Sequence, residues 1–165
     1  MANPLSHFDA QTGRARMVDV GGKAVTERVA TARGLVRISQ ELATVLKAGT
    51  LEKGDAFTVA KTAGILAAKG TGNLIPMCHP LPLNVVELDL VLDEKACEVR
   101  IEAVAKTEAK TGVEMEAMVA VTVAALTFYD MCKAVDKGMV IDRVFLVEKT
   151  GGKSGRYHNE TPRTG

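Results

Sequence analysis

The sequence contains no tryptophan and only four phenylalanines and two tyrosines among its 165 residues. That scarcity argues against an RNA-binding sheet, which stacks bases on exposed aromatic side chains. Net charge is nearly absent too, at +1, so neither nucleic acid nor a membrane surface finds a basic face to bind. The opening stretch, MANPLSHFDAQTGRARMVDV, lacks the apolar core of a secretion signal. No apolar run approaches a membrane span without a proline or polar interruption. Cys78, Cys97 and Cys132 are odd in number and form no CxxC pair. They read as reduced thiols, and a cytoplasmic protein is expected. The Asn159-Glu160-Thr161 sequon is then a chance match.

What remains is an ordinary globular composition, 47% apolar and 25% charged. One domain over residues 1–165 is expected, with 1–16 and 156–165 as mobile ends.

The most informative stretch is residues 110–133, KTGVEMEAMVAVTVAALTFYDMCK. Thr111 followed by Glu114 reads as a capping box, so a helix should start at Gly112 or Val113. Apolar or small residues at 115, 118, 119, 122, 125, 126, 129 and 132 mark one face, and a second set marks the opposite face. The helix should be buried nearly all round. Charge is confined to its ends, Glu114 and Glu116 at the start, Asp130 and Lys133 near the finish. Glu116 and Asp130 are fourteen residues apart, which is roughly 21 Å along a helix axis. One small site within one subunit could not use both ends. Either two sites exist, or a partner chain brings its own helix end across. The plainer alternative is that the glutamates favour the helix dipole and that Asp130 and Lys133 form an i,i+3 pair.

Residues 1–32 are polar and without period, and they hold Arg14, Arg16, Lys23 and Arg28. They read as an extended arm. Residues 34–38 suggest a first strand leading into Ser39 as a helix cap. Leu42, Val45 and Leu46 form a short stripe that Gly49 ends. Lys53-Gly54-Asp55 is a turn opening a second helix to about Lys69, with Val59, Ala63 and Leu66 inward and Gly70 as its stop.

Residues 70–82, GTGNLIPMCHPLP, read as a stiff apolar loop in which prolines bracket Met77, Cys78 and His79. His79 is expected to be buried, with its backbone fixed by Pro76 and Pro80. A hairpin follows: Val86, Leu88, Leu90 and Leu92 alternate in one strand, Cys97, Val99, Ile101 and Ala103 in the next, with the turn at 93–96. Opposite charges on the outer faces can pair across strands. A last strand covers 140–148. The order β, split α, β, β, α, β predicts an α+β ferredoxin-like sandwich, an antiparallel sheet covered by helices on one face.

Gly152-Lys153-Ser154 resembles the end of a phosphate-binding P-loop, but Val147 stands where that loop needs glycine and no helix follows. What survives is a glycine-rich segment after a strand, flanked by Lys149 and Lys153. Such backbone can form an anion nest, which two lysines would reinforce, but composition alone favours solvated lysines in a floppy tail.

NLIPMCHPLPL, KTGVEMEAMVAVTVAALTFYDMCKAVDKGMVI and EKTGGKSG, with MVDVGGKA near the start, together resemble one family. It is the cyclic pyranopterin monophosphate synthases, the accessory C proteins of molybdenum cofactor biosynthesis. The resemblance runs from about Met17 to Gly155. It implies a lyase that takes a cyclised dihydro-GTP (3',8-cyclo-7,8-dihydro-GTP), made by a radical S-adenosylmethionine enzyme, to cyclic pyranopterin monophosphate and pyrophosphate. It also implies a catalytic group of Lys53, Asp130 and Lys133. Met77, Cys78 and His79 with Glu114, Met115 and Glu116 would line the substrate pocket, and Arg28, Lys149 and Lys153 would contact the triphosphate. A homo-hexamer, a trimer of dimers with sites between subunits, is implied as well.

These groups suit the chemistry. Rebuilding a purine-derived ring as a pyranopterin needs several proton transfers. A lysine among other cations can serve as a base, whereas Asp130 could hold Lys133 charged as an acid; the residues leave both open. Pyrophosphate departure requires cations at the leaving group. No tightly bound cofactor and no acidic metal cluster are expected, so any Mg²⁺ would arrive with the triphosphate. A nucleotide-sensing module of the same fold is the rival reading, and it would need no Asp130–Lys133 pair.

Overall fold

The computed structural model describes residues 8–9, 13–153 and 155–159. Two short strands, β1 (Phe8–Asp9) and β2 (Arg14–Ala15), pair with each other. The long strand β3 (Thr26–Arg37) comes next, followed by α1 (Gln40–Ala48), α2 (Ala56–Lys69) and the single turn α3 (Thr71–Leu74). The hairpin β4 (Val85–Asp93) and β5 (Glu98–Ala109) leads into α4 (Glu114–Cys132), then β6 (Val140–Thr150) and β7 (Tyr157–His158). The main sheet is antiparallel in the order β4-β5-β3-β6-β7. Its four long strands and the helices between them have the expected ferredoxin-like α+β arrangement.

Local signals explain most boundaries. Ser39 accepts a hydrogen bond from Leu42 N and caps α1, while Gly49, at φ 66°, closes it. Asp55 accepts from Phe57 N and Thr58 N at the start of α2. These hydrogen bonds, that from the Thr58 side chain foremost, hold the Asp55 carboxyl below the usual carboxylate range. Leu88, Val99, Ile101 and Ala103 fill the inner face of the hairpin. On the outer face Arg100 meets Asp93 at 2.7 Å and Arg33 meets Glu102 at 2.5 Å. Those exposed pairs favour register more than stability.

The arm expected over residues 1–32 is corrected, because residues 26–32 already belong to the sheet. β3 begins at Thr26 and turns Ala30, Ala32, Gly34 and Val36 inward. Small side chains are needed there, since α4 lies directly on the strand. A β-carbon on Gly34 would sit 2.5 Å from Val121 Cγ1. The strand is therefore long but faint in hydropathy.

Close approach also corrects the face of α2. Val59 and Leu66, expected inward, are 42% and 61% exposed. The buried line is Ala56, Ala60, Gly64 and Ala68, which lets α2 settle against α4. A β-carbon on Gly64 would lie 2.6 Å from Ala120 O. Volume decided the packing here, and hydrophobicity did not.

In α4 the expected two-sided burial holds for most of the length, and Phe128, Val121 and Cys132 sit at the centre of the core. A stripe through Met115, Thr122 and Leu126 stays exposed, with Leu126 at 59%. The helix begins at Glu114 after Val113 with no side-chain cap, so the capping box does not form. Glu114 bonds Lys149 Nζ instead, at 2.7 Å. An ion pair displaces the weaker local bond. By length and composition α4 could span a membrane, contrary to the sequence reading, but more than half of it is buried inside the fold.

The expected mobility from residue 156 does not extend to residues 156–159. Tyr157 and His158 pair with Lys149 and Glu148, Asn159 N donates to Val147 O at 2.7 Å, and Arg156 bonds Glu148 at 2.7 Å. Residues 1–7 and 160–165, and the rest of the sequon past Asn159, lie outside the described residues. The three cysteines are free thiols.

Candidate active site

The end of β6 and the start of β3 form one side of a cleft of about 790 Å³. Residues 110–114, where β5 hands over to α4, form the other side. Lys23, Arg28, Lys110, Lys149 and Lys153 line it against a single carboxylate, Glu114. The cleft is therefore a cation-rich basin. Its floor is glycine backbone: Gly151 at φ 96° and Gly152 at φ 76°. Both positions also lack room for a side chain, because a β-carbon on Gly152 would overlap the Arg28 guanidinium. Arg28 Nε donates to Ala109 O at 3.3 Å, which fixes the guanidinium against this floor. Positive φ at both glycines keeps this turn free of side chains and leaves the basin open to the surrounding cations.

A smaller cleft of about 360 Å³ adjoins the basin and shares Lys23, Thr111, Gly112 and Glu114 with it. Met77, Cys78, His79, Met115 and Glu116 line it, together with Val18, Val20 and Leu81. Glu116 is 4% exposed, and burial, then the nearby Glu114 charge, raises its carboxyl above the usual range. Burial first, then the charges of Glu116 and Glu114, likewise raises the Cys78 thiol. Both effects favour the neutral Cys78 thiol over the thiolate. His79 is half-buried, which corrects the expected full burial. Pro76 and Pro80 are exposed but restrict φ on either side of it, and Cys78 N donating to Ile75 O at 3.0 Å adds a turn bond.

The third group lies at the far end of α4. Lys133 Nζ is 2.7 Å from Asp130 Oδ1, and Lys53 Nζ is 3.5 Å from Asp130 Oδ2. Lys53 also donates to Asp130 O at 2.9 Å, across the C-terminal end of the helix. The hydrogen bond from Lys133, then its charge and that of Lys53, holds the Asp130 carboxyl below the carboxylate range. The same bond raises Lys133, so the pair favours an ionised aspartate and an ammonium. Lys53, Asp130 and Lys133 line neither cleft. One subunit therefore brings nine of the twelve candidates together and leaves three about 20 Å away, toward the other end of α4.

The sequence matches the model of the MoaC family over residues 17–152, which covers every one of these twelve residues except Lys153. This chain belongs to the MoaC family. The cyclic pyranopterin monophosphate synthase of Dinoroseobacter shibae is 56% identical over 156 residues, 94% of this chain and 98% of its own. That of Heliobacterium modesticaldum is 56% identical over 158 residues, 96% of this chain and 99% of its own. The synthase of Peptoclostridium acidaminophilum is 54% identical over 151 residues, 92% and 95% of the two chains. The MoaC likeness thus spans both clefts and the distant ion-pair group together.

Lys23 and Lys110 line the MoaC basin but do not stand out as site residues in the sequence. A signal was present. Gly-Gly-Lys occurs both at 21–23 and at 151–153, and only the fold shows that Lys23 and Lys153 share a cleft. Among the described residues no group of three or more His, Cys, Asp or Glu is placed to hold a metal ion.

His79 gives a direct test of the smaller cleft. His79→Ala should lower turnover while shifting stability by less than about 1 kcal/mol, since a half-buried side chain leaves little void. Thermal melts and initial rates on one preparation check this. A large stability loss with unchanged turnover would return His79 to a structural role.

Proposed function

We propose that this chain converts the cyclised dihydro-GTP to cyclic pyranopterin monophosphate and pyrophosphate, as a phosphorus–oxygen lyase of molybdenum cofactor biosynthesis. The observation that carries the reading is the joining of the two clefts. A ring-sized, partly apolar cleft opens onto a cationic, glycine-floored basin through shared residues. A nucleotide triphosphate has those two halves. Arg28, Lys149 and Lys153 would take the phosphates, and Met77, Cys78, His79, Met115 and Glu116 the ring system. Any Mg²⁺ would come on the triphosphate as part of the substrate.

The electrostatics suit the proton transfers. A buried Glu116 with a raised pKa can carry a proton to a ring atom and take it back. Lys133, held as an ammonium by Asp130, suits the acid role, and Lys53, on the other oxygen of the same carboxylate, is the second acid–base candidate. Those three reach the clefts if a neighbouring subunit supplies them. A homo-hexamer, a trimer of dimers, would provide such a junction. Val59, Leu66 and Leu126, exposed on α2 and α4, are apolar surface of the kind that oligomers cover. The substrate itself would come from a radical S-adenosylmethionine enzyme, and free thiols fit a reducing cytoplasm.

The test is turnover of purified cyclised dihydro-GTP, with products identified by mass spectrometry and pyrophosphate measured separately. Equal amounts of cyclic pyranopterin monophosphate and pyrophosphate are expected. Binding without pyrophosphate release would favour the nucleotide-sensing alternative.

A further inference from the structure

Lys23 and Lys153 end the two Gly-Gly-Lys segments, but they do not occupy equivalent places. Lys153 lines the basin alone, whereas Lys23 lines both clefts. Of the four residues the clefts share, Lys23 is the single cation, and the single carboxylate, Glu114, is paired with Lys149. The loop carrying Lys23 is tied down on both sides. Asp19 Oδ1 accepts from Gly21 N at 2.7 Å, and Lys110 Nζ donates to Gly21 O at 2.6 Å. Lys23 N in turn donates to Val20 O at 3.1 Å, closing a turn. These ties hold the backbone of the loop in place, while the Lys23 side chain itself is exposed.

We propose that Lys23 is a catalytic residue for closure of the cyclic phosphate, meeting the α-phosphate where the two clefts join. The inference rests on the function proposed above. A substrate with its ring in the smaller cleft and its outer phosphates among Arg28, Lys149 and Lys153 must carry its α-phosphate across the junction. There a hydroxyl oxygen of the sugar-derived part attacks the α-phosphorus. A new P–O bond forms while the P–O bond to the α–β bridging oxygen breaks. Pyrophosphate leaves with that bond's electron pair, and the hydroxyl proton passes to solvent water. No atom changes oxidation state. Negative charge builds on the bridging oxygen as the bond breaks, so an ammonium at the junction binds the transition state better than the ground state. Lys149 and Lys153, which line the basin but not the smaller cleft, bind phosphates that are charged before and after the step.

That difference separates the lysines experimentally. Lys23→Ala, Lys23→Gln and Lys149→Ala are compared in single-turnover pyrophosphate release, with affinity for inorganic pyrophosphate measured by calorimetry and folding checked by thermal melt. Both Lys23 variants should slow release about 10²–10³-fold, the usual loss for one transition-state donor. Their pyrophosphate affinity should stay within about threefold of the unmodified protein, because ground-state binding is not what Lys23 supplies. Lys149→Ala should show the reverse, losing affinity more than rate. Unchanged release in the Lys23 variants, or affinity falling in step with release, would overturn the role and leave Lys23 as one more tail-binding cation. The unmodified protein separates the two levels. Release by it with no slowing in the variants overturns the role of Lys23 alone, whereas no release by it overturns the function on which that role rests.

Discussion

Lys53→Ala should lose turnover by at least about 10²-fold and as much as 10⁴-fold, the range for an essential acid or base. Subunit state and substrate binding should be unchanged. Lys53 is 43% exposed, in the turn before α2, and its ammonium contacts Asp130 through both the side chain and the backbone carbonyl. A purely structural account of the same geometry exists. A cation at the C-terminal end of α4 stabilises the helix, typically by about 0.3–1 kcal/mol at an exposed position. Such a loss would lower the melting temperature by a few degrees and leave the rate of folded protein nearly unchanged. Turnover, melting and subunit state measured together separate the accounts. Activity within about tenfold of the unmodified protein would be too small a loss for an essential acid or base.

The sequence made the site legible unevenly, and the reasons are physical. Helix caps at Ser39 and Asp55 and the alternation of Val86, Leu88, Leu90 and Leu92 are local, so the elements they mark appear where expected. The inner face of β3 and the inner line of α2 were hidden. Both are built from alanine and glycine so that α4 can approach closely. Hydropathy reports transfer from water, and these positions are chosen for volume. The Glu114–Lys149 pair was hidden for another reason, because its partners are 35 residues apart and a capping box is the nearer use for a glutamate. The Asp130–Lys133 pair is local and was legible. Lys23 was read as part of a polar arm, since nothing in its own segment shows that β3 and β6 deliver it beside Gly152. The resemblance to a known family pointed to twelve residues, and the structure separates them into nine around two clefts and three beyond.

That separation is the second large expectation. Glu116 is sealed into the cleft wall near the start of α4, and Asp130 lies exposed near its end. A side chain reaches about 6 Å, so the roughly 21 Å between them cannot be closed within one rigid helix. If both ends serve one reaction, two chains must build each site. Loss of either residue should then be rescued by the other chain. The geometry also sets the size of the rescue. In an equal mixture of the two variants, about a quarter of interfaces pair an intact Glu116 with an intact Asp130.

Complementation measures this most directly. Glu116→Ala and Asp130→Ala proteins, each inactive alone, are mixed in equal amounts, and subunit exchange is verified with differently tagged chains. Shared sites predict that activity rises from background toward about one quarter of the unmodified protein as exchange proceeds. Demonstrated exchange with activity still at background would contradict shared sites and confine both helix ends to functions within single chains.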